Sequence, residues 1–576
     1  MRLINVETMQ LEEFWDDQTP PYAILSHTWE EEEVSYQDFL NPAVASQKRG
    51  YGKIVGACNQ AKKDKLRFVW VDTNCIDKAS SAELSEAINS MFNWYEKAAV
   101  CYAYLSDVSD PSYYGAPYLY DNNFVRAFSS SRWFTRGWTL QELLAPATIK
   151  FFSDSWTFLS DRKSLLPWIS TTTGISTKHL HGRESLNLAS VACKMSWLAR
   201  RKTSRREDMA YCILGLFDIN MPLLYGEGNK AFVRLQEEIL KSSNDHTLFS
   251  WSWNKNVPSY WTSLLAPSPD TFASAGNFIP RRNLSEPIPY QMTNYGLSIT
   301  LPYVACWKSG FLMLNVRLPT DKIGIGEEHA IAIPVRPCNT NPGLFERIAF
   351  PRSPVLFDRQ AWSVTKHVVV QSRSEVPGAV RSYETMTNST LSKYTHGFIL
   401  TIPETVFLLN PTDPRYEYWK TKPTNRLLQD ISSHLVVETL PRGHCFFDSS
   451  TSVFWMSMKE TENQGCAVMK ISADGTQGVV LVFKTESIFR EGNNRSPTTE
   501  PVSARCMVLP EGLWERSTSD GTFHRLYSDM EDPESSHIPA LVSPLGVGTL
   551  TTEWGAEVHS VILLYKKGQN RYWGGS

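Results

Sequence analysis

Residues 68–105 read FVWVDTNCIDKASSAELSEAINSMFNWYEKAAVCYAYL, and this stretch decides the fold. Phe68-Val69-Trp70-Val71 is a short apolar run of the buried-strand kind. It gives way to a helical stripe in which Leu84, Ile88, Met91, Phe92 and Tyr95 recur at i, i+4, i+7, i+8 and i+11. Ser80 and Glu83 stand at the spacing of a capping box, which places the helix start. Val100 to Leu105 then forms a second apolar run. Upstream, Tyr22 to Leu25 is a further strand candidate, followed by a helical face of Ile54, Ala57, Cys58 and Ala61. Strands that alternate with helices of this length imply βαβ crossovers, hence a mainly parallel sheet covered on both faces. The N-terminal part is expected to be α/β.

The pattern changes twice further on. From about 185 to 241 it is mostly helical: a segment Glu207 to Phe217, a turn around Met221-Pro222 with Gly226 and Gly228, and a helix marked by Phe232, Leu235 and Ile239. Beyond about 290 the period moves towards two, as in Leu297 to Leu301, Phe311 to Leu318, Ala330 to Val335 and Val479 to Lys484, with turn residues between the runs. A β-sandwich or barrel-like C-terminal domain follows from that pattern. The expected division is 1–180 for the α/β domain, 181–245 for a helical extension and 246–576 for a β-rich domain. A chain of 576 residues exceeds what one core organises, and 42% hydrophobic content with 19 tryptophans is enough to fill several.

Charge and cysteine use narrow the partners. With 57 basic and 60 acidic residues the net charge is −3, so no overall field draws the chain to nucleic acid or an anionic membrane. No apolar run reaches membrane-spanning length, and acidic Glu7, Glu12 and Glu13 interrupt any signal-peptide core, so a cytoplasmic location is expected. Ten scattered cysteines show neither a CxxC pair nor Cys/His ligand spacing, so neither a metal site nor a disulfide framework is expected. The basic cluster Arg200-Arg201-Lys202 with Arg205-Arg206 resembles a nuclear-targeting or phosphate-binding patch, but in a chain of balanced charge it reads first as a solvated helix face.

In an open parallel sheet, ligands sit beyond the carboxyl ends of the strands. Here those ends carry Ser26-His27-Thr28-Trp29, Asp72-Thr73-Asn74-Cys75-Ile76-Asp77 and Ser106-Asp107. Such residues also cap helices and close turns, so position alone does not separate the two roles. In Arg136-Gly137-Trp138-Thr139-Leu140-Gln141-Glu142-Leu143, a helix from Thr139 would put Trp138 and Glu142 at i and i+4, an indole beside a carboxylate.

Four blocks in order, 22–29, 70–77, 85–92 and 136–143, resemble the fungal heterokaryon-incompatibility (HET) domain, with 205–211 through 221–228 similar to the segment that often follows it. Glu30 stands where that family commonly has glycine, and Thr73-Asn74-Cys75 where it often has paired cysteines. The resemblance implies fungal non-self recognition, in which such proteins trigger cell death when genetically different cells fuse. It also implies kinship with TIR domains of innate-immunity signalling, and so a flavodoxin-like sheet. Some TIR domains hydrolyse NAD at a glutamate in a W-x-x-x-E setting; Glu142 matches that position. By the same resemblance NAD is a substrate, not a bound cofactor, and Ser26, His27, Trp29, Asp72, Asp77 and Trp138 are its candidate contacts. The expected partners are further copies of the chain or another incompatibility protein. Two alternatives remain open: a non-enzymatic self-assembly module signalling through a β-rich partner-binding domain, and a carbohydrate- or protein-binding β-module carrying a degenerate α/β domain.

Overall fold

The computed structural model describes nearly all of residues 1–281 and, beyond them, chiefly the β-strands and a few turns. Two compact units emerge: Met1–Leu248 with Ala266–Ile279, and Phe249–Leu265 with Pro280–Ser576.

The first unit is built on a seven-stranded sheet. Its strands are β1 (Arg2–Asn5), β2 (Gln10–Glu13), β3 (Ala23–His27), β4 (Phe68–Trp70), β5 (Val100–Tyr104), β6 (Ile149–Phe152) and β7 (Phe158–Asp161), in the order β2-β1-β4-β3-β5-β6-β7. The pairs β3–β4, β3–β5 and β5–β6 are parallel, whereas β1–β2, β1–β4 and β6–β7 are antiparallel. The sheet is thus mixed, with the expected parallel arrangement confined to its centre. Every residue of β3 and β4 is buried, which explains why both read as unbroken apolar runs. The N-terminal hairpin β1–β2 escaped the sequence reading because β2 is a polar, largely exposed edge strand.

Helices α1 (Tyr36–Phe39), α2 (Pro42–Ala45) and α3 (Tyr51–Lys63) lie in the β3–β4 crossover, and α4 (Ser81–Lys97) forms the β4–β5 crossover. Helix α4 buries Ala87, Ile88, Met91, Phe92 and Tyr95, close to the predicted stripe. Each such large side chain taken out of water contributes roughly 1.5–3 kcal/mol. Tyr95 Oη also donates to the Leu25 carbonyl at 3.1 Å, pinning α4 to β3. Of the predicted capping box, Ser80 Oγ does accept from the Glu83 amide, at 3.3 Å. The Glu83 carboxylate is engaged elsewhere, by Arg2 Nη1 at 2.6 Å and the Asp77 amide at 2.8 Å, because β1 brings a guanidinium within reach.

After β5 come α5 (Asn122–Ser129), α6 (Thr139–Leu144) and, beyond β7, α7 (Leu166–Thr173). The helical continuation contains Val191–Leu198, Asp208–Tyr211 and Lys230–Ser242. The helix expected over Glu207 to Phe217 is shorter than its pattern. It ends at Tyr211, and the chain turns where Gly215 packs on Phe92; a Cβ there would sit 2.1 Å from Phe92 Cβ. Helix Val191–Leu198 packs on the turn Pro269–Phe272, and Gln236 clasps Ala266 through both its carboxamide atoms at 2.9 Å, so Ala266–Ile279 closes onto this helical layer.

The second unit is β-rich. Strands Leu297–Ala305, Gly310–Met313, His329–Pro337, Leu344–Arg347 and Val364–Val370 pair in a closed ring, which makes a small barrel. Two five-stranded sheets lie further along the chain. The predicted turns and loops past about 372 lie outside the described residues.

Candidate functional site

Among the parallel strands the order is β4-β3-β5-β6, the doubly wound order in which the connections leaving β3 and β5 run in opposite directions. A crevice opens at such a switch point, and the residues ending β3 stand at it. Ser26, His27 and Thr28 are all buried.

Helix α6 brings the carboxylate. All six of its residues, Thr139 to Leu144, are buried, so Glu142 has no water-facing side to turn to. Its Oε2 instead accepts a hydrogen bond from Ser26 Oγ. Ser26 Oγ in turn accepts from Trp133 Nε1 at 2.8 Å. A serine hydroxyl has one proton and two lone pairs, and this arrangement uses them consistently: proton to the carboxyl, lone pair to the indole. Burial pushes the Glu142 carboxyl up to about 8, and Asp72 adds to the rise, while Ser26, Arg136 and Arg201 oppose it. Glu142 therefore holds a proton through most of the neutral range.

Around this pair lie polar groups with unused capacity. Among the described residues, both ring nitrogens of His27 and both carboxamide atoms of Asn74 are buried without a hydrogen-bond partner. Burial lowers the His27 pKa, so the ring is neutral at physiological pH. Trp29 is 42% exposed. Its Nε1 donates to Asp72 Oδ2 at 2.9 Å, Lys78 Nζ lies 3.6 Å from its ring centroid, and the Arg136 guanidinium lies 6.0 Å away. Asp72 acts electrostatically on His27, Lys78 and Glu142, which links the indole group to the buried pair. The loop after β3 is held by buried Lys53, whose Nζ reaches Glu33 Oε1 at 2.5 Å, the Thr28 carbonyl at 3.1 Å and Glu30 Oε2 at 3.3 Å. Glu30, at the glycine position of the resemblance, also accepts from Ser106 and Arg132, each at 2.8 Å.

Of the residues singled out from sequence, Ser26 and Glu142 are hydrogen-bonded, and Trp29 and Asp72 form a second pair joined to them electrostatically. Asp77 stands apart: its carboxylate accepts from the Ala79 amide at 3.0 Å and from Gln37, closing the turn before α4. Trp138 is the N-cap residue of α6 and hydrogen-bonds with Asp208. The indole tied to the Ser26–Glu142 pair belongs to Trp133. Sequence spacing favoured Trp138 because i, i+4 is a helical relation, whereas Trp133 lies in a separate 3₁₀ turn, Arg132–Thr135. Arg201 was also missed, and its basic cluster is not a solvated helix face: the chain there is non-helical, and Arg201 is buried with its Nη1 on the Arg136 carbonyl at 2.8 Å and Thr139 Oγ1 at 2.9 Å. No group of His, Cys, Asp and Glu able to hold a metal ion occurs among the described residues. No helix among them is long and apolar enough to cross a membrane.

Residues 22–117 match the family model for heterokaryon incompatibility protein (HET). The matched segment spans β3 through β5, and therefore contains Ser26, His27, Trp29, Asp72 and Asn74; Trp133, Glu142 and Arg201 fall after it. Over 225 residues, 38% of this chain, the sequence is 51% identical to the vegetative incompatibility protein HET-E-1 of Podospora anserina. The matched stretch amounts to 16% of that protein, so the chain spans a small part of its HET relative's length. No solved structure matches the chain.

Proposed function

We propose that this chain acts in fungal vegetative incompatibility, and that its first unit is a TIR-like module that promotes cell death by hydrolysing NAD at Glu142. The role rests on likeness to a vegetative incompatibility protein. The chemistry rests on one observation: a carboxyl buried at the switch point of the sheet, bonded to Ser26 and raised to about 8. A glutamate so perturbed at the strand ends has the character of a functional group.

Cleavage of the nicotinamide–ribose bond sends the bonding pair to the pyridinium, which leaves as a neutral ring, so little general-acid help is required. The sugar carbon gains oxocarbenium-like positive charge. Glu142, once deprotonated, would stabilise that charge and hold the ribose hydroxyls, and water would supply the new C–O bond and release a proton. Trp29 offers an exposed ring face, and Lys78 and Arg136 beside it suit the substrate's phosphates. His27 and Asn74 supply unspent hydrogen-bonding atoms.

The decisive experiment incubates the full chain with NAD at pH 8.5 and measures nicotinamide release, alongside Glu142→Ala and Glu142→Gln. The reading requires NAD loss in the parent and at least a roughly hundredfold lower rate in both variants. If the parent is toxic in cells yet consumes no NAD, and Glu142→Gln remains toxic, non-enzymatic assembly replaces hydrolysis as the mode of action.

A further inference from the structure

Glu142 is ringed by groups from several elements. Ser26 comes from β3, Asp72 from the loop after β4, Tyr95 from α4 and Cys101 from β5. Tyr95 and Cys101 are held neutral by burial, which keeps both well above their ordinary values, so neither adds charge. Asp72 works against ionising Glu142. The cations that favour ionisation are Arg136, half-buried at the approach to α6, and Arg201, from the segment after helix Val191–Leu198.

Arg201 is the unusual one. It is 5% exposed and pairs with no carboxylate among the described residues; Nη1 is spent on the Arg136 carbonyl and Thr139 Oγ1. Its Nη2 is buried without a hydrogen-bond partner among the described residues. Thr139 Oγ1, fixed from one side by Arg201, donates to the Trp133 carbonyl at 2.5 Å; Trp133 Nε1 donates to Ser26, and Ser26 to Glu142. A single bonded path therefore runs from the guanidinium to the carboxyl. The backbone reinforces it, because Arg136 and Lys202 pair as in a parallel ladder: the Gly137 amide meets the Lys202 carbonyl at 2.8 Å and the Lys202 amide meets the Thr135 carbonyl at 2.7 Å. Gly137 is required for that approach, since a Cβ would stand 2.5 Å from Thr203 Cγ2. A buried cation without its own acid is costly unless something nearby compensates it.

We infer that Arg201 is a positioning residue for Glu142, fixing the first turn of α6 through Thr139 and serving as the buried counter-charge when Glu142 gives up its proton. The helical continuation is on this account part of the site. The inference takes its mechanistic weight from the reading of Glu142 as the reacting carboxylate, but its test needs no substrate, so the two fail separately.

The test follows the Glu142 carboxyl by carbon NMR in the full chain carrying glutamate labelled at Cδ, the resonance being assigned by its loss in Glu142→Gln. In Arg201→Gln the titration midpoint should rise by at least about one unit, a tenfold lower ratio of ionised to protonated carboxyl at a given pH. In Arg201→Lys, which restores the charge, it should fall back towards the parent. In the unsubstituted protein the Arg201 side-chain resonances should shift with the same midpoint as Glu142. A folded Arg201→Gln protein with the parental midpoint overturns the inference. Should that variant not fold, Arg201 signals in the parent that ignore the Glu142 titration overturn it equally.

Discussion

Ser26 Oγ donates to Glu142 Oε2 across 116 positions of sequence, and the same oxygen receives the indole proton of Trp133. Ser26→Ala deletes both bonds at once. It leaves Trp133 Nε1 without its acceptor and strips Glu142 of the neighbour that most stabilises its ionised form. We expect a loss of about 1–3 kcal/mol in urea unfolding and a further rise in the Glu142 midpoint. An unchanged midpoint would show that Ser26 does not bear on the carboxyl.

The pH dependence of stability has a definite sign. The Glu142 carboxyl titrates at about 8 in the folded chain against an ordinary 4.5. Between those values the folded state keeps a proton that the unfolded chain has released, so rising pH through this window lowers stability. Glu142→Gln abolishes that contribution. Its urea midpoint relative to the parent should therefore climb from pH 5 to pH 8, and equal slopes for the two proteins would contradict the assignment.

Hydrolysis, where it depends on ionised Glu142, should follow the same group from the other side. Nicotinamide release by the full chain should increase between pH 6.5 and 9 with an apparent midpoint near 8 in the free protein. A flat profile over that range would separate turnover from this carboxyl.

Lys53 gathers Glu33, Glu30 and the Thr28 carbonyl behind the exposed Trp29. Replacement by Met fills the space but leaves Glu33 facing a buried stem without its cation. The expected cost is about 1–3 kcal/mol, accompanied by a change in Trp29 fluorescence as the loop relaxes. Parental fluorescence in a folded Lys53→Met chain would mean that the lysine does not hold the loop.

Gly215→Ala tests the packing of the helical continuation on α4. The added methyl meets Phe92 Cβ and cannot be accommodated without moving backbone, so thermal unfolding should show a loss of about 1–3 kcal/mol.

The central strands and α4 were legible because β3 and β4 are buried on every side and α4 on one, and each condition leaves its own period in the sequence. The outer strands were not: β2 is short, polar and defined by its partner β1, which no local pattern reports. At the site, Ser26 and Glu142 could be named singly from the strand-end rule and from resemblance. Their bond could not, since nothing in a spacing of 116 residues distinguishes contact from separation. Arg201 was hidden by its neighbours, for exposed Arg200, Lys202, Arg205 and Arg206 made the whole cluster read as a surface.

The return of Ala266–Ile279 to the first unit, after Phe249–Leu265 has entered the second, bears on the order of synthesis. Domains generally fold as units, the N-terminal one first during synthesis. Here the helical layer must wait, with the Gln236 carboxamide and the Ser190 hydroxyl each short of a partner, until Ala266 and Phe278 have been made. By then a piece of the following unit is already out. The two units are thus interleaved in time during translation, and a chain halted at residue 248 would present an unfinished first unit instead of a completed one.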